Sequence, residues 1–555
     1  MFSTLFFVAI KMIKEILNNK IANSKPTQTV AGAALIVSVA GILSRILGLF
    51  RDRILASQFG AGDTLDIYYA AFRIPDLVYN LLIVGALSAA FIPVFTGLIT
   101  RKKKKEAWNL ASGLLTLQVT VVVFISIILA MLAPYIMQLV TPGFSDDKTI
   151  QVAMFTRIMF LSPLLLGISA VFGGILISFK RFLIYSLAPI SYNIGIIIGA
   201  VLFVKIWGDI GLAWGVVLGA FLHMVLQFWA TKFIGFSYKP INLKEIILDK
   251  RIRKVIHLMI PRSLAMGVTQ INLLVITIFA STLVSGSLTV FNLANNLQSI
   301  PLGIFGISFA LAAFPKLSSL ATKNDMKKFN YVFTRTFKRI LFFVIPASVI
   351  IFSLRAEIVR AVLGAGEFDW KDTKATLWVL GFLSLSLFAQ STIPLIARAF
   401  YALENTKTPF YIALFSEAIN IIVVIILIEK YKILGIAIAF SLTATINMML
   451  LLWMLNGYFK GIKKENTLSS ILKIVVASTF SGLAVYSVRH FLANFIELRM
   501  LWEVVIQLVV AGGAGIFAFL IACYWLKVDE FNDFKKSILI HTLGKRPSDV
   551  LEESK

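Results

Sequence analysis

Residues 41–76 read GILSRILGLFRDRILASQFGAGDTLDIYYAAFRIPD. Arg45, Arg51, Arg53 and Arg73 interrupt a stretch that is otherwise apolar enough to lie in a bilayer. A guanidinium placed in hydrocarbon costs about 2.5–3.5 kcal/mol on insertion scales, so an intramembrane arginine faces a wet cavity or an anionic partner. The stretch therefore predicts membrane helices that carry a route for something negatively charged.

The rest of the chain agrees. Of its 555 residues 58% are hydrophobic and 15% charged, and the mean hydropathy is +0.87, far beyond a soluble domain of this length. Apolar runs of about 20 residues, separated by short charged or Pro/Gly-containing loops, predict helices rather than the shorter alternating strands of a barrel. Fourteen spans are read, near 29–50, 70–99, 107–135, 151–178, 184–205, 210–231, 255–283, 288–315, 331–354, 374–402, 408–429, 433–457, 468–492 and 501–526. The fold class is an all-α polytopic membrane protein.

A net charge of +25 raises the question of nucleic acid, but the basic residues fall in alternate short loops and form no folded basic module. Arg101 to Lys105, Lys180-Arg181, Lys250 to Lys254, Lys323 to Lys328 and Lys460 to Lys464 mark one side, which is cytoplasmic by the positive-inside rule. An even number of spans then places both termini in the cytoplasm. Cys523 is the only cysteine and His223, His257, His490 and His541 are scattered, so neither a disulfide nor a metal site is expected. No cofactor is expected either. Phe2, Leu5, Phe6, Ala9, Ile13, Ile16 and Leu17 at helical spacing among lysines predict an interfacial helix.

The second half repeats the first. Ile54-Leu55-Ala56-Ser57 recurs as Ile278-Phe279-Ala280-Ser281, Gly62 as Gly286, Ala71-Phe72-Arg73 as Ala294-Asn295-Asn296, and Ala90-Phe91-Ile92-Pro93 as Ala312-Ala313-Phe314-Pro315, at a nearly constant offset. Repeated bundles are the plan of secondary transporters, in which rocking alternates access to a fixed site. The expected organisation is an interfacial helix over 1–28, a first lobe of six helices over 29–235, a cytoplasmic linker over 236–254, a second six-helix lobe over 255–462, two further helices over 463–527, and a cytoplasmic tail over 528–555.

Arg45 and Asp52, seven positions apart, share one helix face, with Ser44, Gly48 and Arg51 on an adjoining stripe. Surplus positive charge beside small residues suits a diphosphate headgroup, because guanidinium forks match phosphate oxygens in pairs. For Arg51 and Arg53 two readings stand, a site role or snorkelling to the headgroups at a helix end; Arg45 lies deeper. Arg73 stands three positions before Asp76 and is read either as an ion-paired kink or as a ligand contact. Arg262, after Pro261, projects into the cleft or snorkels. Glu417 and Asn420 in the eleventh span are read as a coupling-ion site or as a structural hydrogen-bonded pair. Asn296 and other amides of the second half add polar groups without charge. Asp63 and Asp66 form only a DxxD spacing, and no catalytic carboxylate pair, nucleophile triad or metal cluster supports an enzyme.

These residues bring a family into view. The chain resembles the MurJ/MviN lipid II flippases of the multidrug/oligosaccharidyl-lipid/polysaccharide exporter superfamily. The resemblance rests on Ser44-Arg45 with Gly48 and Arg51-Asp52, on Phe59 to Gly62 with Asp66, on Pro75 through Gly85-Ala86, Ser88 and Ala90 to Pro93, and on Arg398-Ala399-Phe400-Tyr401-Ala402 continuing through Asn405 to Pro409. Weaker echoes lie at Lys180 to Phe182 with Pro189 and Asn193. The resemblance implies a V-shaped pair of six-helix lobes, a cationic cavity, and a groove for a polyprenyl tail at the last two helices. It also implies flipping of a polyprenyl-diphosphate-linked glycopeptide from inner to outer leaflet, among membrane lipids and with cell-wall synthesis proteins as further partners. The family's functional arginines map onto Arg45 and Arg51, with Asp52, and Arg262 falls where many relatives carry Pro-Arg. Relatives usually have an Arg pair at Tyr79-Asn80, a Glu at Val84 and an acidic residue at Ile276. These departures keep open a different lipid-linked glycan, a related exporter, or a degenerate flippase serving as a cell-wall scaffold.

Overall fold

The computed structural model describes residues 30–84, 91–459, 467–495, 497 and 500–535. The interfacial helix expected over 1–28, Ser88 and the end of the tail lie outside the described residues. Every regular element among the described residues is helical. By contact the chain divides into two compact units, Met1–Thr289 and Val290–Lys555.

In the first unit α1 (Val30–Phe59) is followed by a broken element: α2 (Asp63–Ala71), α3 (Arg73–Tyr79), a π-helical turn over Asn80–Val84, and α4 (Ile92–Thr100) with Pro93 in its first turn. Next come α5 (Lys104–Val140), α6 (Asp146–Met159), α7 (Leu161–Ser178), α8 (Phe182–Ile198), α9 (Gly211–Phe233) and α10 (Lys250–Ser281). Ser145 and Asp249 cap α6 and α10 by accepting the amides of Lys148 and Arg251, satisfying donors that a helix start leaves orphaned. Phe91, Phe95, Leu110 and Phe172 are buried in one apolar core, joined by the stacked pair Trp108 and Phe179. The unit boundary falls after α10, because α10 packs on α3, the π-helical turn and α5.

The boundary cuts the first turn of α11 (Ser287–Pro301). Beyond it the second unit holds a π-helical turn over Leu302–Ile307, α12 (Ser308–Thr322), α13 (Met326–Ser353), α14 (Arg355–Val362), α15 (Trp370–Leu385), α16 (Leu387–Ala402), α17 (Lys407–Tyr431), α18 (Ile433–Asn456), α19 (Thr467–Ala493) and α20 (Leu501–Trp525). Its core gathers Phe329, Phe333, Phe337, Ile396 and Phe400. The pair α19 and α20 packs closely, Gly515 admitting Val485 and Ser481 where a Cβ would collide.

Local geometry extends the duplication well beyond the segment in which sequence reveals it. The π-helical turn that starts at Asn80 has its counterpart in the one that starts at Leu302. Lys102 and Asn324 take left-handed backbone at φ 58° and 55°, Lys180 and Glu404 both at 58°, each closing a helix end. Gly208 and Lys432 follow at φ 66° and 50°. Just after these, Gly211 abuts the backbone of Phe203 and Val204, and Gly435 that of Leu427 and Ile428. Each pair keeps nearly the offset that relates Ile54 to Ile278.

Among the described residues nine helical stretches are long and apolar enough to cross a membrane, or ten when α15 and α16, bent by 46°, count as one broken span. The predicted fourteen is not reached by that measure. The fifth and sixth predicted spans fall in one apolar stretch, Phe182–Phe233, and the seventh qualifies only as the shorter Thr269–Ser281. Large apolar side chains such as Phe124, Met131 and Leu139 of α5 stand exposed, as lipid-facing surfaces require.

Candidate functional site

The long helix α1 presents Arg51 and Asp52 as a fixed unit. Arg51 Nη2 and Nε donate to Asp52 Oδ1 at 2.7 and 3.0 Å, and Asp52 is buried. The remaining donor, Nη1, meets Asn193 Oδ1 on α8 at 3.0 Å. Asn193 Nδ2 in turn donates to the carbonyls of Pro189 at 3.1 Å and Ser44 at 3.4 Å. Arg51 is thus clamped between two helices with its side chain 21% exposed, a geometry different from a snorkelling arginine. Each hydrogen bond to such a charged group contributes about 1.5–3 kcal/mol. Arg53, two positions on, is half-buried.

Arg45 sits elsewhere on the same helix. It lines a cavity of about 510 Å³ inside the first unit, together with Ser44, Tyr79, Tyr185, His223 and Gln227. His223 Nδ1 pairs with Ser169 Oγ at 2.8 Å. The Oε1 of Gln227 is buried without a hydrogen-bond partner among the described residues, an acceptor that a ligand or water would satisfy. Among the described residues of that lining, Arg45 alone is charged when His223 is neutral. Tyr79, at a position where the resemblance expects arginine, supplies a phenol to the wall instead. His223 and Gln227 were missed by sequence reasoning, although their spacing of four on one apolar helix was a signal.

Arg73 is buried, and its Nε donates to Thr277 Oγ1 on α10 at 2.6 Å. Near it the start of α2 is latched to the start of α11. Asp66 accepts the amides of Gly286 and Thr289 at 2.8 and 2.9 Å and the Thr289 hydroxyl at 2.8 Å, while Lys148 Nζ approaches it at 3.3 Å. Asp63 takes Lys148 and the Ser285 hydroxyl at 2.5 and 2.6 Å. Burial pushes the Asp66 carboxyl above the usual range against the pull of Lys148, whereas hydrogen bonds from Lys148 and Ser285 hold Asp63 below it. Gly286, at φ +87°, lies against the Ala61 carbonyl so closely that a Cβ would overlap it. Its repeat partner in the sequence, Gly62, is extended at φ −135° and stands as the N-cap of α2.

In the second unit Glu417 and Asn420 are both buried on α17, and Asn420 Nδ2 donates to Glu417 Oε1 at 3.3 Å. Asn420 Oδ1 has no hydrogen-bond partner among the described residues, nor have Thr443 Oγ1 and Asn447 Oδ1 on the adjacent α18. The carbonyl of Asn296 on α11 accepts the Ser299 hydroxyl at 2.8 Å, and Gln298 bridges Asn295 and Gln390 at 3.0 and 3.3 Å. Among the described residues no group of three His, Cys, Asp or Glu side chains could hold a metal. Arg262 belongs to α10, with its side chain outside the description.

Helical units built from a duplicated half, with arginines held inside apolar helices, define a polytopic membrane transporter. The chain belongs to the lipid II flippase MurJ family, whose profile matches residues 55–506; Arg45, Arg51 and Asp52 precede the matched stretch. A probable lipid II flippase MurJ of Bdellovibrio bacteriovorus is 30% identical over 80% of this chain and 86% of that protein. Another from Buchnera aphidicola of Acyrthosiphon pisum is 31% identical over 75% and 81%. A solved lipid II flippase MurJ in an inward closed conformation superposes with a TM-score of 0.72 at 28% identity, covering 89% of this chain and 99% of that one. An inward-facing multidrug resistance MATE family transporter shares the fold with a TM-score of 0.65 at 16% identity, over 77% and 99%.

Proposed function

We infer that this protein flips lipid II, the lipid-linked peptidoglycan precursor, from the inner to the outer leaflet by alternating access. The observation that carries the reading is the cavity of the first unit, in which Arg45 stands beside uncharged hydrogen-bonding groups. A single guanidinium in a wall of low dielectric attracts a phosphate oxygen strongly, and the phenols, amide and imidazole of Tyr79, Tyr185, Gln227 and His223 offer donors and acceptors to a polar headgroup. Arg45, Arg51 with Asp52, Arg73 and Arg262 are the proposed cargo contacts, with Arg53, Ser88, Asn296, Glu417 and Asn420 as secondary ones. The organisation in two six-helix lobes with two further helices for the polyprenyl tail, the placement in the bacterial inner membrane with both termini cytoplasmic, and transport without catalysis complete the proposal. The alternation of basic loops supports the orientation.

The replacement of the expected Arg pair by Tyr79 and Asn80 favours one rival, a degenerate flippase that recruits cell-wall enzymes. Complementation of a flippase-depleted bacterium separates the two. Arg45→Ala, expressed at the wild-type level, is expected to fail; growth restored by that variant would support the scaffold and overturn the flippase.

A further inference from the structure

The first unit carries a second cavity, of about 330 Å³, between the start of α5 and the segment that follows α9. Its lining includes Lys104, Lys105, Trp108, Ser112, Ser237 and Lys239. The carboxylate nearest in sequence is already engaged, since Glu106 is shared by Lys103 and Arg251 at 3.0 Å each. Lys104, Lys105 and Lys239 form no ion pair among the described residues. All three are solvent-exposed, so water screens their mutual repulsion, and together they give the hollow a positive potential that favours an anion.

The walls are built to hold this arrangement. Trp108 stacks on Phe179 at 5.8 Å and packs against Phe236 at 5.3 Å, while Lys104 Nζ stands 5.6 Å from the Trp108 ring centre. Gly235, at φ +88°, lets the chain turn back so that a Cβ there would lie 3.8 Å from the same ammonium. The segment is then tied to α5 twice, by the Lys239 amide donating to Ser112 Oγ at 3.3 Å and by the Thr116 and Tyr238 hydroxyls at 2.9 Å.

We propose that this cavity binds the phosphate of an anionic phospholipid headgroup. Its size suits one phosphodiester with its polar substituent and excludes the surface of a folded partner. The lipid source is favoured over a free anion by the helix that forms one wall: α5 exposes Val121, Phe124 and Ile127 further along, an apolar surface for acyl chains, and Trp108 lies between the lysines and that surface, the position amphipathic rings take at a headgroup level. The consecutive cations Arg101 to Lys105 add the field that draws anionic lipid to this face. Ser237 and Lys239 on the other side belong to the predicted linker over 236–254, so a bound headgroup fastens the linker to α5.

The test uses the full-length protein in nanodiscs of phosphatidylglycerol and phosphatidylcholine, with native mass spectrometry reading retained lipid. The triple variant Lys104→Gln/Lys105→Gln/Lys239→Gln is expected to lose one tightly held phosphatidylglycerol, with affinity down about tenfold or more, and to retain phosphatidylcholine as before. Lys104→Arg, which keeps charge and fold, is expected to bind like wild type. Equal phosphatidylglycerol retention by the triple variant would overturn the proposal. Inorganic phosphate that displaces the lipid and quenches the Trp108 contribution to fluorescence, read against Trp108→Phe, would assign the cavity to a soluble anion and overturn the lipid. Retention is measured without cargo, so the result is separate from the flippase reading.

Discussion

Asn193 reaches Arg51 across 142 residues of chain, its Oδ1 accepting from Nη1 at 3.0 Å. The same amide is pinned from its nitrogen side by the Pro189 and Ser44 carbonyls, so its oxygen is presented to the guanidinium without flipping. Asp52 and Asn193 together hold Arg51 in one orientation.

Removing that orientation leaves the charge but loosens its aim. Asn193→Ala is expected to lower flipping about tenfold or more, the loss of one charge-assisted hydrogen bond of about 1.5–3 kcal/mol, at unchanged expression. Arg45→Ala and Arg51→Ala are expected to abolish it. A proteoliposome accessibility assay gives all three rates, and wild-type transport by Arg45→Ala would remove the cavity from the mechanism.

Arg53 is half-buried, whereas Arg73 is buried. Arg53→Ala is expected to keep more than half the activity, an effect under about 0.5 kcal/mol as for ordinary surface positions. Complete loss of complementation would raise Arg53 from a secondary to a primary cargo contact.

At Gly286 the backbone itself is the constraint. A side chain there faces both a positive φ and the Ala61 carbonyl, so Gly286→Ala is expected to cost about 1–3 kcal/mol and to lower the unfolding midpoint in detergent. Gly62→Ala, at extended backbone with its nearest obstacle 3.5 Å away, is expected to be milder. Equal midpoints for the two would show that the latch yields without cost.

The latch also has a pH signature. Asp63 is held below its unfolded pKa by Lys148 and Ser285, so its contribution is complete above about pH 4 and is lost as pH falls through the lowered value. Asp66 is raised by burial and has the opposite sign, its protonated form favouring the folded state as pH falls. Unfolding midpoints between about pH 3 and 7 are expected to fall less steeply toward acid for Asp63→Asn than for wild type. A parallel pair of curves would exclude Asp63 as a contributor.

For Glu417 the hydrogen bond with Asn420 predicts that shape matters more than charge. Glu417→Gln is expected to preserve folding and most transport, and Glu417→Ala to cost about 1–3 kcal/mol by stranding the buried Asn420 amide. Loss of transport by a well-folded Glu417→Gln would instead make the carboxylate a coupling group.

Much of this molecule was legible in its residues. Helical membrane class follows from composition and from the length of apolar runs, which are properties of the chain itself. Duplication was visible from Ile54 to Pro93, and charge at Arg45 and Arg51 pointed to a candidate site because an ionised group in an apolar run is costly wherever it ends up. The recurrence of π-helical turns and left-handed helix ends at the same offset was not legible, since Lys102 and Asn324, or Gly208 and Lys432, share a backbone conformation and no side-chain chemistry.

Sequence alone determined that this is a duplicated bundle of membrane helices carrying buried positive charge, because hydropathy and periodicity act locally. Tertiary structure alone decided which groups meet that charge: Asn193 for Arg51, Thr277 for Arg73, His223 and Gln227 around the cavity that Arg45 lines, Gly286 and Thr289 for Asp66. Those partners lie up to 223 residues away, and a hydrogen bond depends on ångström distances that only packed helices set.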